Sequence, residues 1–191
     1  MEWPVAALSA AEKYTLLTDC VVPRPIAWVT TRASAGEINI APFSYFNIVS
    51  TEPMIVSLSV NRRLGPDGRS EQKDTALHLS QGGDCVIHIP SHDHAPAVHA
   101  TGSSTPPSQE QIDSLGLQFA PAQTVKAPRI DDCAVALEGR LLQAIAVADR
   151  QQTVVSDLLL IEISHIYAAD DVLHNGRVHP EPYAINANKR P

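Results

Sequence analysis

Residues Val22 to Phe46, VPRPIAWVTTRASAGEINIAPFSYF, decide how the rest of the chain is read. Pro23 and Pro25 enforce an extended approach to a β-branched and aromatic run, Ile26 to Thr31. Ser34 to Glu37 supply a turn, and a second extended run starts at Ile38. This is a hairpin with an unusual exit. Its second arm ends in Asn39, Ala41, Pro42 and Ser44, small or hydrogen-bonding residues that leave backbone groups free to meet a flat ligand with a polar edge.

Outward from the hairpin, the chain is cut into short pieces. Fifteen prolines and nine glycines in 191 residues favour a β-rich fold over a helical bundle. With 44% hydrophobic residues, that length suits one good core, so a single domain over residues 1–191 is expected. Ser9 and Glu12 form a capping box that predicts a helix from Ala10 to near Thr18, and this helix is expected to cover one open end of a barrel. Met54 to Val60 reads as a buried strand, apolar on both faces, begun by Pro53. Gly65, Pro66 and Gly68 mark a surface excursion, across which Asn61, Arg62 and Lys73 could converge.

Asp74 or Thr75 opens a helix running to Ser80 and stopped by Gly82-Gly83. Unpaired amides at that helix start, with Lys73 just before it, make a plausible phosphate seat; spacing alone equally describes a capped helix beside a solvated lysine. Cys85 to Ile89 is a short strand, and Ser91 onward, SHDHAPAVHA, a helix with a polar lead-in. A loop over 103–107 precedes a further helix near Gln109 to Leu115. Ala134 to Ala148 and Leu158 to Ala168 are long Val, Ile and Leu-rich strands. The segment after Asp170 is a polar tail that could wrap onto a neighbour.

The run PRPIAWVTT, a short glycine-containing turn, then N-x-APFSYF, followed by SLSVNRR and KDT, resembles the flavin reductase-like, FMN-binding split-barrel family. The similarity runs from about Pro23 to about Val178. The fold it implies is mainly β with peripheral helices: an antiparallel, Greek-key-like split β-barrel of about six strands. The cofactor it implies is FMN in preference to FAD, with NADH or NADPH as a transient co-substrate. By resemblance, Asn39, Ala41, Ser44 and Tyr45 contact the ring and ribityl chain, with Thr30 beside them. Ser59, Asn61 and Arg62 lie along the ribityl-phosphate side, and Lys73, Asp74 and Thr75 at the phosphate. A homodimer is implied too, with free flavin, a partner monooxygenase or another acceptor taking the electrons. A flavin-binding electron carrier with little nicotinamide oxidation, or a split-barrel module without flavin, are the alternatives. Relatives often end in a glycine pair followed by aromatics, where this chain has Pro182-Tyr183-Ala184-Ile185-Asn186-Ala187-Asn188, which bears on acceptor and nucleotide preference.

Hydride transfer between stacked rings needs little acid-base machinery, so no catalytic acid, base or nucleophile is assigned. Without a G-x-G-x-x-G or P-loop pattern, a nicotinamide nucleotide would bind transiently against the flavin. The formal charge of -7 and the absence of a basic run longer than Arg62-Arg63 disfavour nucleic acid. Cys20, Cys85 and Cys133 are odd in number and far apart, which argues against a disulfide framework and fits a reducing cytoplasm. No window approaches the ~20 apolar residues of a membrane span. His92, His94 and His99 raise zinc, but without HExxH or a supporting cysteine they read as solvent-facing imidazoles, and no metal is expected. His165 and His179 could line the nicotinamide side, or be structural. The lack of a G-x-S-x-G elbow sets aside a serine hydrolase.

Overall fold

The computed structural model describes residues 2–102 and 108–179. Its centre is one antiparallel sheet of seven strands: β1 Ala27–Arg32, β2 Ile38–Phe43, β3 Phe46–Thr51, β4 Met54–Asn61, β5 Asp84–His88, β6 Val135–Ala148 and β7 Val154–Ala168. Their order in the sheet is β2-β1-β5-β6-β7-β4-β3. The two edge strands are consecutive in sequence, so the sheet coils back on itself. Ser44 and Tyr45 form the corner, and the Tyr45 carbonyl accepts from the Ser59 amide at 2.9 Å. One bent segment thus serves both edges of the sheet. The seven strands of this sheet accord with the barrel of about six that the resemblance implies.

Register sets the two faces. In β1 and β2, Val29 faces Ala41 and Thr31 faces Asn39, while Thr30 faces Ile40. Ala27, Val29, Val56, Leu58, Val60, Cys85, Ile87, Leu159 and Ile161 fill the barrel interior. In β4 the apolar residues alternate with Ser57 and Ser59 instead of occupying both faces, because the outer side of β4 is only partly covered. The opposite face of β1 and β2, with Trp28 and Ile40, packs under Val98, Ile112, Ile130 and Cys133.

Helix α1, Ala10–Cys20, begins with the expected capping box, Ser9 Oγ accepting from the Glu12 amide. It does not cover the barrel: none of its side chains is buried. That place is taken by α2, Asp74–Ser80, whose Thr75, Ala76 and Leu79 are buried, the latter two within the interior cluster. Helices α3, Ala95–Ala100, and α4, Gln109–Ser114, lie on the outer face. The stretch between α4 and β6 is anchored by Glu138, whose buried carboxylate accepts from the amides of Gln123 and Thr124 and from the Thr124 hydroxyl. Burial alone would raise this carboxyl; those donors outweigh it and hold it below the usual range.

Candidate functional site

Two predicted residues, Asn39 and Thr75, come together where the hairpin exit meets α2. Asn39 Nδ2 donates to Thr75 Oγ1 at 2.9 Å and to Thr31 Oγ1 at 3.1 Å. The Thr31 hydroxyl is 2.9 Å from His78 Nδ1. Either partner of that bond can donate, because the hydroxyl oxygen can accept from both Asn39 and a ring N–H. Burial holds the His78 imidazole below its ordinary pKa, against the pull of Asp74. The hairpin exit and the helix mouth are therefore stitched by side chains, and α2 is seated on the barrel end by them.

Lys73 is the N-cap position of α2 and gives no side-chain cap. It is half-buried and forms no ion pair among the described residues. Asp74 in the first turn is instead approached by Arg63 Nη2 at 3.5 Å, and Arg63 also lies 3.7 Å from Glu71. Arg63 is a residue that sequence reasoning missed; its signal was only its place after Arg62 and opposite the acidic pair across the loop.

Arg62 turns the other way. Its Nε and Nη2 form a two-point pair with Asp157, at 2.9 and 2.8 Å, and Asp157 is only 3% exposed. Arg62 thus ties the end of β4 to β7 through Asp157. Ser59 Oγ pairs with Ser156 Oγ at 2.9 Å on the outer face. Asn61 is exposed, and neither its side chain nor that of Ser44 makes a hydrogen bond among the described residues. Ala41 offers backbone only. Tyr45, half-buried at the corner, has its phenol pushed up by burial first and by Tyr14 second, with Arg24 pulling the other way.

Thr30 stands apart from this assembly. It is fully buried on the opposite face, its hydroxyl donating to the Pro128 carbonyl at 2.6 Å. Strand parity explains the difference: the neighbour that shares Asn39's face is Thr31.

The three histidines also separate. His92 and His99 are exposed, whereas His94 is buried beneath Trp28, a correction to the expected solvent-facing trio. Its Nε2 is 3.3 Å from Asp132 Oδ2 and 3.8 Å from Cys133 Sγ. Its Nδ1 lies 3.2 Å from the Ser91 amide, an obligate donor, so the ring proton sits on Nε2 and points at Asp132. The ligand atoms of His94, Asp132 and Cys133 all lie within 4.8 Å of one another, so a cysteine does stand beside one of the three histidines, in a hydrogen-bonded cluster. Burial pushes the Cys133 thiol up to about 12, so it is a thiol at neutral pH. His165 is half-buried on β7 and His179 exposed after the last ladder. The divergent 182–188 segment lies outside the described residues.

A family model described as "Flavin reductase like domain" matches residues 19–182. Protein BH2278 of Halalkalibacterium halodurans is 33% identical over 175 residues, covering 92% of this chain and 82% of that one. Protein YwrF of Bacillus subtilis is 36% identical over 153 residues, covering 80% and 72%. Among solved structures, nitrilotriacetate monooxygenase component B from Bacillus cereus superposes with a TM-score of 0.86 at 27% identity, over 100% of this chain and 96% of that one. The flavoredoxin of Desulfovibrio vulgaris (Miyazaki F) matches in fold, with a TM-score of 0.66 at 18% identity over 93% and 82%.

Proposed function

Because the chain belongs to the flavin reductase like family, we propose that it binds FMN and works as an oxidoreductase, taking hydride from NADH or NADPH and delivering electrons to free flavin, a partner monooxygenase or another acceptor. The supporting observation is the meeting of the two chain segments that the family resemblance assigns to one cofactor. Asn39 at the β2 exit is bonded to Thr75, two residues from an unpaired, half-buried Lys73.

The donor set suits a flavin nucleotide. Lys73 and the first-turn amides of α2 supply charge for a terminal phosphate, while the Ser44 hydroxyl, the Asn61 amide and the backbone at Ala41 and Tyr45 remain for the polar edge and ribityl chain. Bound FMN would supply the redox chemistry: it accepts a hydride and passes electrons on. The protein's part is to hold and orient, with Arg62 acting through its pair with Asp157 to fix the end of β4 rather than by touching phosphate. The Asn39 nitrogen and the Thr75 hydroxyl act as positioning groups, being bonded to each other, while Asn39 Oδ1 makes no hydrogen bond among the described residues and remains for the cofactor. Among the described residues no helix is long and apolar enough to cross a membrane, and Cys20, Cys85 and Cys133 are free thiols, as suits a reducing compartment such as the cytoplasm.

A second copy of the chain is part of this proposal. Helix α1 exposes Tyr14 and Leu17, and β6 exposes Leu142, Ile145 and Val147, apolar surface that a homodimer would cover. The likeness to a monooxygenase component B supports a monooxygenase among the acceptors.

The test is direct. Purified protein should carry or take up FMN with its yellow absorption band, and anaerobic addition of NADH or NADPH should bleach that band quickly. Slow bleaching would favour an electron carrier, and no flavin binding would leave a flavin-free module. Lys73→Ala should weaken FMN about tenfold or more while leaving riboflavin nearly untouched, because only FMN presents a phosphate; equal loss for both would reject the Lys73 seat.

A further inference from the structure

Across His78 from the candidate flavin site lies a second open cavity of about 460 Å³, whose lining includes Arg32, Lys126 and Arg140. It shares Ala33 and His78 with the neighbouring cavity that contains Asn39 and Asp74. We propose that this basic cavity binds the phosphomonoester group of a second nucleotide, separate from the phosphate of the flavin.

The charges there are oriented but not neutralised. Arg32 is tethered to carbonyls, Nη1 to Gly36 O at 2.6 Å and Nε to Lys126 O at 3.3 Å. Arg140 is tethered likewise, through Nη2 to the Thr124 carbonyl. Carbonyl tethers fix a guanidinium without cancelling its charge. Among the described residues none of the three cations forms an ion pair. The one carboxylate in the lining, Asp84, accepts from the amides of Lys126 and Ala127, at 2.8 and 2.9 Å, and offsets one of the three positive charges.

Simple neighbourhood effects do not account for the cluster. The C-terminus of α2 also meets this cavity and carries about half a negative charge at most, much of it met by the amides of Gln81, Gly82 and Gly83. The lining's net of two positive charges, three cations less the Asp84 carboxylate, exceeds that severalfold. The chain has only 14 basic residues and a formal charge of -7, so three unpaired cations around one cavity are not a general property of its surface. A dianion that accepts from two guanidinium groups and an ammonium satisfies all three at once. Burial favours the neutral form of His78, against the pull of Asp74, and the residue forms the wall between the two cavities.

This inference deepens the proposed reductase reading by naming a recognition group on its second nucleotide, and its test reads out apart from flavin chemistry. Adenosine 2′,5′-bisphosphate is titrated by calorimetry into the FMN-loaded protein, with 5′-AMP and inorganic phosphate in parallel. Saturable binding of the bisphosphate is expected, weakened about tenfold or more by Arg32→Gln and by Arg140→Gln, with FMN affinity unchanged in both variants. Lys126→Gln, an exposed position, provides a third variant whose fold is not at risk, and it should weaken the same ligand. Lys73→Ala should lower FMN affinity and spare the bisphosphate. Stronger binding of the bisphosphate than of 5′-AMP would assign the 2′-phosphate to the cavity; equal binding would assign a phosphate common to both. Absence of saturable binding, indifference to all three substitutions, or displacement of the bisphosphate by excess FMN would each overturn the proposal.

Discussion

The Nδ2 of Asn39 lies 2.9 Å from Thr75 Oγ1, joining the exit of the early hairpin to the first turn of the helix that plugs the barrel. The same nitrogen reaches Thr31, which leads on to His78, so one amide serves three elements. Both side chains therefore help to hold the site together.

Asn39→Ala should thus act through stability. It removes two hydrogen bonds and leaves the buried Thr75 and Thr31 hydroxyls with fewer partners, at a cost of about 1–3 kcal/mol. Urea unfolding should register that loss as a lower midpoint with an unchanged slope. FMN and riboflavin should weaken together, since what is lost is the seat of α2 rather than a bond to phosphate. Selective loss of FMN would instead make Asn39 a phosphate contact.

Arg62 and Asp157 offer a larger effect. Asp157 is 3% exposed and takes two bonds from Arg62. Arg62→Ala strands that carboxylate, and breaking a buried pair from one side costs about 3–5 kcal/mol. Replacing both, as Arg62→Met with Asp157→Leu, should recover much of the loss. A thermal unfolding series on the single and double variants separates this from a solvent-exposed pair, for which the single change would cost under about 1 kcal/mol.

Acid should destabilise the protein through His88. Its Nδ1 meets the Trp28 carbonyl at 2.8 Å and its Nε2 accepts from the Ile130 amide at 2.9 Å, so the neutral ring satisfies both neighbours. A second proton on Nε2 would confront that amide. Burial accordingly pulls its pKa from 6.5 down to about 4. The unfolded chain binds the proton more readily than the folded one, so stability is full above about pH 6.5 and is lost as pH falls toward 4. The loss should be on the order of 3 kcal/mol, and His88→Gln should flatten this part of the curve. A melting temperature independent of pH between 6.5 and 4.5 in the parent protein would contradict it.

What the sequence disclosed follows from the range of each signal. The capping box at Ser9, the turn at Ser34 to Glu37 and the long apolar strands are local patterns, and they reappear with ends shifted by a few residues. The break of the second arm into β2 and β3 at Ser44 is tertiary: it arises because the barrel must close on β4, and periodicity contains no trace of it. Face assignment has the same limit: Thr30 and Thr31 lie on opposite faces of β1, and parity needs a partner strand to define inward. Lys73, Asp74 and Thr75 were legible as a helix start. That Arg62 would be claimed by Asp157, 95 residues later, was not.

The exposed apolar residues of the far half of β6 make the last prediction. Residues Val135, Ala136, Glu138 and Gly139 are buried in the sheet, yet beyond Arg140 the strand is largely exposed while it continues pairing with β7 to Ala148. This half of the strand is an edge of the β6-β7-β4-β3 region, with no strand on its other side among the described residues, and it shows Ile145 and Val147 on the same face, each 40% exposed. Helix α1 adds Tyr14 and Leu17 at 63% and 62% exposure with no buried side chain of its own to hold it. Both elements are ordered pieces without enough apolar burial within one chain, which a second copy would supply. Sedimentation should therefore give a dimer at micromolar concentration. Ile145→Glu should shift it toward monomer and lower the melting temperature in a concentration-dependent way, because association and folding are linked. A monomeric parent protein, or a variant that stays dimeric with an unchanged melting temperature, would place the interface elsewhere or remove it.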